Sequence, residues 1–147
     1  VKYDPAVIEA CLSAATPRTA RDCIGKGADA CMSATPAGGS NAGMGFCAGA
    51  ERDDWDSRLN AAYQTLLAAE TAQDADLAAQ DIPAPKMAPA LQAMQRAWIA
   101  YRDAACEYEV TQWGGGSGGA PAWSFCTMQL TAEQALALSA RLRDKER

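Results

Sequence analysis

The sequence predicts an all-α fold: a small disulfide-stapled helical bundle with two long antiparallel helices, short N-terminal helices and a C-terminal helix. Three observations carry this. From Met87 to Tyr108 the residues Met87, Leu91, Met94, Trp98, Tyr101, Ala105 and Tyr108 step alternately by four and three. Such steps keep them on one stripe of a helix of about five turns or more, whose apolar face is expected to be buried. Upstream, Trp55, Leu59, Ala62, Leu66 and Ala69 repeat the same steps, with Tyr63 beside them. Finally, six cysteines form an even set in a chain of 147 residues without histidine, and nearly half of those residues are apolar. That length suits a single core.

In chain order, Asp4-Pro5 reads as a helix start, with Asp4 as N-cap and Pro5 at the first helical position, where its missing N–H is no loss. Val7, Ile8, Cys11, Leu12 and Ala15 form the buried face of this first helix. Thr16-Pro17 repeats the start signal for a second short helix that stops near Gly25 and Gly27. A further short piece around Asp29 to Ser33 carries Cys31. Thr35 to Gly45 is rich in Pro, Gly, Ser and Asn and reads as a loop. Cys47 leads into the long Trp55 helix, which is expected to pack along the Met87 helix and to end between Glu70 and Gln80. Asp81 to Pro89, with three prolines, connects the two, and a short connector makes them antiparallel. After Tyr108, the stretch from Trp113 through Gly114, Gly115, Gly116, Ser117, Gly118 and Gly119 to Trp123 reads as a glycine-rich loop inside the domain. Thr131 and Gln134 fit a capping box that opens the last helix, which buries Ala135, Leu138 and Leu142.

The cysteines at 11, 23, 31, 47, 106 and 126 include no C-x-x-C pair, and with no histidine this argues against zinc and for disulfides in an oxidising compartment. No cofactor is expected. Six cysteines allow about 15 connectivities. The most local scheme pairs Cys11 with Cys23, Cys31 with Cys47 and Cys106 with Cys126, each closing a loop that stabilises by roughly 3 kcal/mol on chain entropy. Val1 follows no visible signal peptide, so the chain reads as a trimmed mature form. There is no run of 18 apolar residues and hence no membrane span.

The net charge is -5, and eight acids fall between Glu51 and Asp81 against Arg52 and Arg58. This balance argues against nucleic acid and allows a basic protein partner, or simply a solvated helix face. Catalysis is not expected. No histidine is present to act as base, the cysteines are paired, and no two carboxylates stand out as an acid–base pair.

Two motifs stand in order, Trp55-Asp56-x-x-Leu59-Asn60-x-x-Tyr63 and Gln95-x-x-Trp98-x-x-Tyr101-Arg102-Asp103-x-x-Cys106. Together with the cysteines they resemble the LprI-type family of secreted bacterial proteins, small helical domains named for a lysozyme inhibitor. The likeness covers roughly residues 45–143, in a single domain of 1–147 whose residues 1–34 form an N-terminal helical extension. It implies a periplasmic or secreted location, a helical fold and, for some members, inhibition of lysozyme.

Asp56, Asn60, Gln95 and Arg102 lie beside the apolar seams and are expected to form a structural polar cluster, Arg102 bidentate to Asp56. The functional alternative is that Arg102 and Asp56 bind a ligand. Trp113 and Trp123 bracket the glycine-rich loop, which either inserts into a partner or folds back over the bundle. The leading expectation is a lysozyme inhibitor that occludes the enzyme's cleft with this loop, helped by the acidic region. The alternative is an accessory protein of the cell envelope, docking on a membrane complex through the loop or the N-terminal segment.

Overall fold

The computed structural model describes residues 2–146. Five α-helices carry nearly all of it: α1 Ala6–Ala14, α2 Lys26–Ala34, α3 Asn41–Ala79, α4 Met87–Thr111 and α5 Gly119–Lys145. A 3-10 turn, Ala20–Cys23, lies between α1 and α2, and the described residues contain no strand. Disulfides join Cys11 to Cys23, Cys31 to Cys47 and Cys106 to Cys126, the local scheme laid out above. The first ties α1 to the 3-10 turn, the second α2 to α3, and the third α4 to α5.

α1 starts where Asp4 and Pro5 place it. The Asp4 carboxylate accepts from the Ala6 N–H at 2.9 Å, and Pro5 enters with φ -64°. Ile8 is fully buried. The Thr16-Pro17 signal produces a turn rather than a full α-helix. The Thr19 hydroxyl accepts from the Thr16 N–H at 2.9 Å; the 3-10 turn ends at Cys23, and Gly25, whose φ of +97° suits glycine, leads into α2.

α2 is capped from another helix. Glu51 of α3, fully buried, accepts from the N–H of Gly25 and of Ala28, both at 2.7 Å, and from the Trp55 indole N–H at 2.8 Å. A carboxylate at a helix N-terminus meets both the free N–H groups and the positive end of the dipole. Gly27 makes room for this: a Cβ there would lie 2.8 Å from the Tyr3 ring and 3.1 Å from Glu51 Oε1. Tyr3 donates to Asp54 at 2.6 Å, and burial, followed by that carboxylate, pushes its phenol far above the ordinary tyrosine range.

α3 begins earlier than its composition suggests. The Thr35–Gly45 loop shrinks to residues 35–40, because the Ser40 hydroxyl accepts from the Gly43 N–H at 3.0 Å and opens the helix. Gly43 is helical yet needs no side chain, since a Cβ there would come within 2.5 Å of the Ala37 carbonyl. Further along, the buried line runs Cys47, Glu51, Trp55, Leu59, Ala62, Leu66, Glu70 and Asp74, while Ala69 is exposed. Lys145 pairs with Glu70 at 2.9 Å, and Asp74 accepts from Met87 and Ala88 N–H, each at 2.9 Å, as the cap of α4. These two backbone bonds, Ala88 first, hold the Asp74 carboxyl below its usual pKa.

Asp74 beside Met87, with Asp56 and Arg102 lining one recess, shows α3 and α4 antiparallel. α5 returns alongside α3. Asn41 donates to Ser117 just before α5, and Lys145 at its other end reaches Glu70, so the two run parallel. The principal packing of α3 is against α5 rather than α4, which corrects the expectation from the sequence. Pro89 falls in the first turn of α4, where no N–H is required.

Two further corrections concern α4 and α5. The buried line of α4 is Ala88, Leu91, Gln95 and Cys106, with Trp98 and Arg102 half-buried, so Met94, Tyr101 and Tyr108 of the four-three stripe are exposed by 43%, 64% and 68%. The Cys106–Cys126 bridge and the α5 partners of Gln95 and Arg102 turn the helix by about one residue toward its polar side. Thr131 does not start a helix. α5 is continuous, and Thr131 is fully buried in its middle with its hydroxyl 3.4 Å from the Arg102 guanidinium.

Candidate functional site

The glycine-rich stretch is shorter and tighter than its sequence suggests. Only Gln112 to Gly118 separates α4 from α5, and Gly119 and Trp123 are already helical. Gly114 and Gly115 have φ +59° and +80°, which allows the chain to reverse here. The Gly116 N–H bonds back to the Trp113 carbonyl at 2.9 Å. The Trp113 ring lies over Gly118, where a Cβ would come within 2.5 Å of it. Ser117 accepts from Asn41 at 2.9 Å, which ties the turn to the start of α3, and the Cys106–Cys126 bridge holds its base. Trp113 is thus braced on a short turn and still 52% exposed.

Beside it runs an apolar groove of about 670 Å³ between α4, α5 and the first turns of α3. Tyr101, Trp113, Pro121, Phe125, Leu130 and Met44 give it its apolar lining, and Asn41, Glu109 and Gln129 add polar groups. An exposed aromatic next to an apolar groove is the usual form of a protein-binding surface.

Trp123 does not belong to this groove. It shares a smaller recess of about 250 Å³ on the other side of the α4–α5 pair with Arg52, Asp53, Asp56, Arg102, Asp103 and Thr127. The two tryptophans therefore line different recesses, because α5 starts before Trp123 and its helical turn carries that side chain away.

Of the four expected cluster residues, Asp56 and Arg102 meet around this recess without an ion pair between them. Asp56 accepts from Asn60 at 3.2 Å. Arg102 pairs with Asp103 at 3.1 Å and stacks over Trp98 at 5.1 Å from the ring centre. Gln95 accepts from Gln134 at 3.0 Å. The polar groups thus satisfy each other as α4–α5 and intrahelical pairs rather than as one α3–α4 cluster.

Sequence reasoning passed over Glu51 and Asp74, which it counted among the surface acids. The available signal was Glu51 one helical turn before Trp55, an acceptor beside a buried donor. Of the acids between Glu51 and Asp81, Glu51, Glu70 and Asp74 are buried, and Asp54 is bonded to Tyr3 and Arg58. The exposed ones are Asp53, Asp76 and Asp81, so the acidic face is thinner than the count implies.

A family model described as "Lysozyme inhibitor LprI" matches residues 31–138. The chain belongs to the LprI lysozyme inhibitor family. An uncharacterized protein of Rhizobium meliloti is 32% identical to it over 103 residues, 70% of this chain and 74% of that relative. No solved structure matches it. The LprI match takes in the groove, the Trp113 turn and two of the three disulfides, and leaves α1 with the Cys11–Cys23 bridge outside. Membership in a family of lysozyme inhibitors implies a protein partner, and together with three disulfides it suggests a secreted or periplasmic protein. Among the described residues, no helix is long and apolar enough to cross a membrane.

Proposed function

We propose that this LprI protein is a non-catalytic inhibitor of lysozyme that occludes the enzyme's cleft with the Trp113 turn and the groove beside it. The observation that carries this reading is Trp113 itself. A large aromatic is held half exposed on a turn braced by Gly118, by the Asn41–Ser117 bond and by a disulfide. A partner that accepts it gains a hot-spot contact with little ordering loss, since the turn is already fixed. The net charge of -5 speeds encounter with a basic enzyme, an effect that fades as salt rises.

The test is lysis of peptidoglycan by a c-type lysozyme at low and moderate salt. The parent protein should inhibit, and Trp113→Ala should weaken inhibition by about 30-fold or more, the ratio for a hot-spot loss of about 2 kcal/mol. Trp123→Ala should inhibit as the parent does. Equal inhibition by the parent and Trp113→Ala would refute the site. No inhibition at large excess would refute the function and turn attention to a cell-envelope partner.

A further inference from the structure

α4 carries a solvent face that its own bundle does not cover. Met94, Tyr101 and Tyr108 stand seven residues apart along it, and Ala93, Ala97, Ala100 and Ala104 beside them are all exposed. No charged residue interrupts this face over about 22 Å of helix. A helix side that faces only water normally carries charge, and a four-three apolar pattern normally marks a buried seam.

The charges beside the face are ordered by sign. Arg96 precedes Tyr101 by five residues and Glu107 follows it by six. Eleven residues are about three helical turns, so both lie on the same flank of the face. Neither takes part in an ion pair among the described residues.

We infer that this face pairs with the same face of a second copy of the chain, as an antiparallel two-fold dimer centred on Tyr101. An isologous pair places every residue against its counterpart reflected along the helix. Met94 then meets the partner's Tyr108, and Arg96 comes within about one residue of the partner's Glu107, on both flanking sides of the axis. The alanines let the two helices approach closely, and the two helix dipoles oppose each other. A parallel pair would carry this flank of the two helices to opposite sides of the seam and leave Arg96 and the partner's Glu107 about three helical turns apart in height, without contact. A single helix pair is smaller than a standard stable interface, so the dimer dissociates at micromolar concentration.

Sedimentation equilibrium of the oxidised full chain, over a concentration series on the order of 1 to 500 µM, tests this. The average mass should rise from 15.4 kDa toward twice that value. Ala97→Glu, on the face and away from the groove, should hold the protein monomeric while its circular dichroism matches the parent. Because the dimer covers Tyr101 of the groove, the variant's effect on lysozyme should match the parent's at concentrations where the parent is itself monomeric. Arg96→Glu and Glu107→Arg should each weaken the dimer by about tenfold or more, and the two together should restore it. A parent that stays monomeric throughout overturns the proposal and leaves this face to a different protein. A dimer indifferent to Ala97→Glu also overturns it, and a double variant no tighter than either single one overturns the antiparallel register. Trp113→Ala should leave the mass unchanged, so this result and the lysozyme result fail separately.

Discussion

Replacing Glu51 by glutamine and by alanine measures how far a single buried carboxylate holds the N-terminal helices on α3. Its Oε1 accepts from the Ala28 N–H, and its Oε2 accepts from both the Gly25 N–H and the Trp55 indole. Glutamine keeps one oxygen. Placed at the Oε2 position it still serves two donors, but its amide then points at the Ala28 N–H, donor against donor. Losing one charge-assisted bond and blocking one donor costs about 2–3 kcal/mol. Alanine leaves three donors without an acceptor in a fully buried site, at about 4–6 kcal/mol including the space left behind. For a domain of this size each kcal/mol lowers Tm by roughly 3–4 °C. Thermal unfolding followed by circular dichroism at neutral pH, with disulfides intact, should therefore show drops of about 6–12 °C for Glu51→Gln and about 12–24 °C for Glu51→Ala. A Glu51→Ala protein that melts within about 2 °C of the parent would refute the reading that this carboxylate joins α2 to α3.

Asp74 gives an acid-side prediction. Its carboxyl pKa is lowered in the folded state by the Ala88 and Met87 N–H groups, so its contribution is fully present above the unfolded carboxylate pKa and is lost as pH falls through the lower folded value. Asp74→Asn should unfold more readily than the parent at neutral pH and show a flatter decline in stability below about pH 4, as read from urea midpoints across pH. Removing the Cys11–Cys23 bridge as a double alanine variant opens a loop with a sequence separation of 12 and should cost about 3 kcal/mol, a Tm drop of about 10 °C. That bridge lies outside the matched residues 31–138, and at a temperature where the variant is folded its inhibition of lysozyme should equal the parent's.

The candidate site was legible in part. Trp113 and its glycine turn stood out because glycine runs and tryptophan at a cysteine-bounded bend are local signals. The groove beside the turn was not legible, since its walls come from α3, α4 and α5, residues from 41 to 130 brought together only by folding. That Trp113 and Trp123 line separate recesses was not legible, because a glycine-rich composition does not show where a helix resumes.

What the sequence by itself determined is what neighbouring residues decide: the helical class, the caps at Asp4 and the proline connector, and the local cysteine pairing favoured by short loop closure. What only the tertiary structure decided is which side of each helix is buried. Periodicity marks a stripe, yet burial depends on which surfaces meet and where polar groups find partners. Gln134 and Thr131 turned α4 toward its polar side, and the α2 N-terminus drew Glu51 inward.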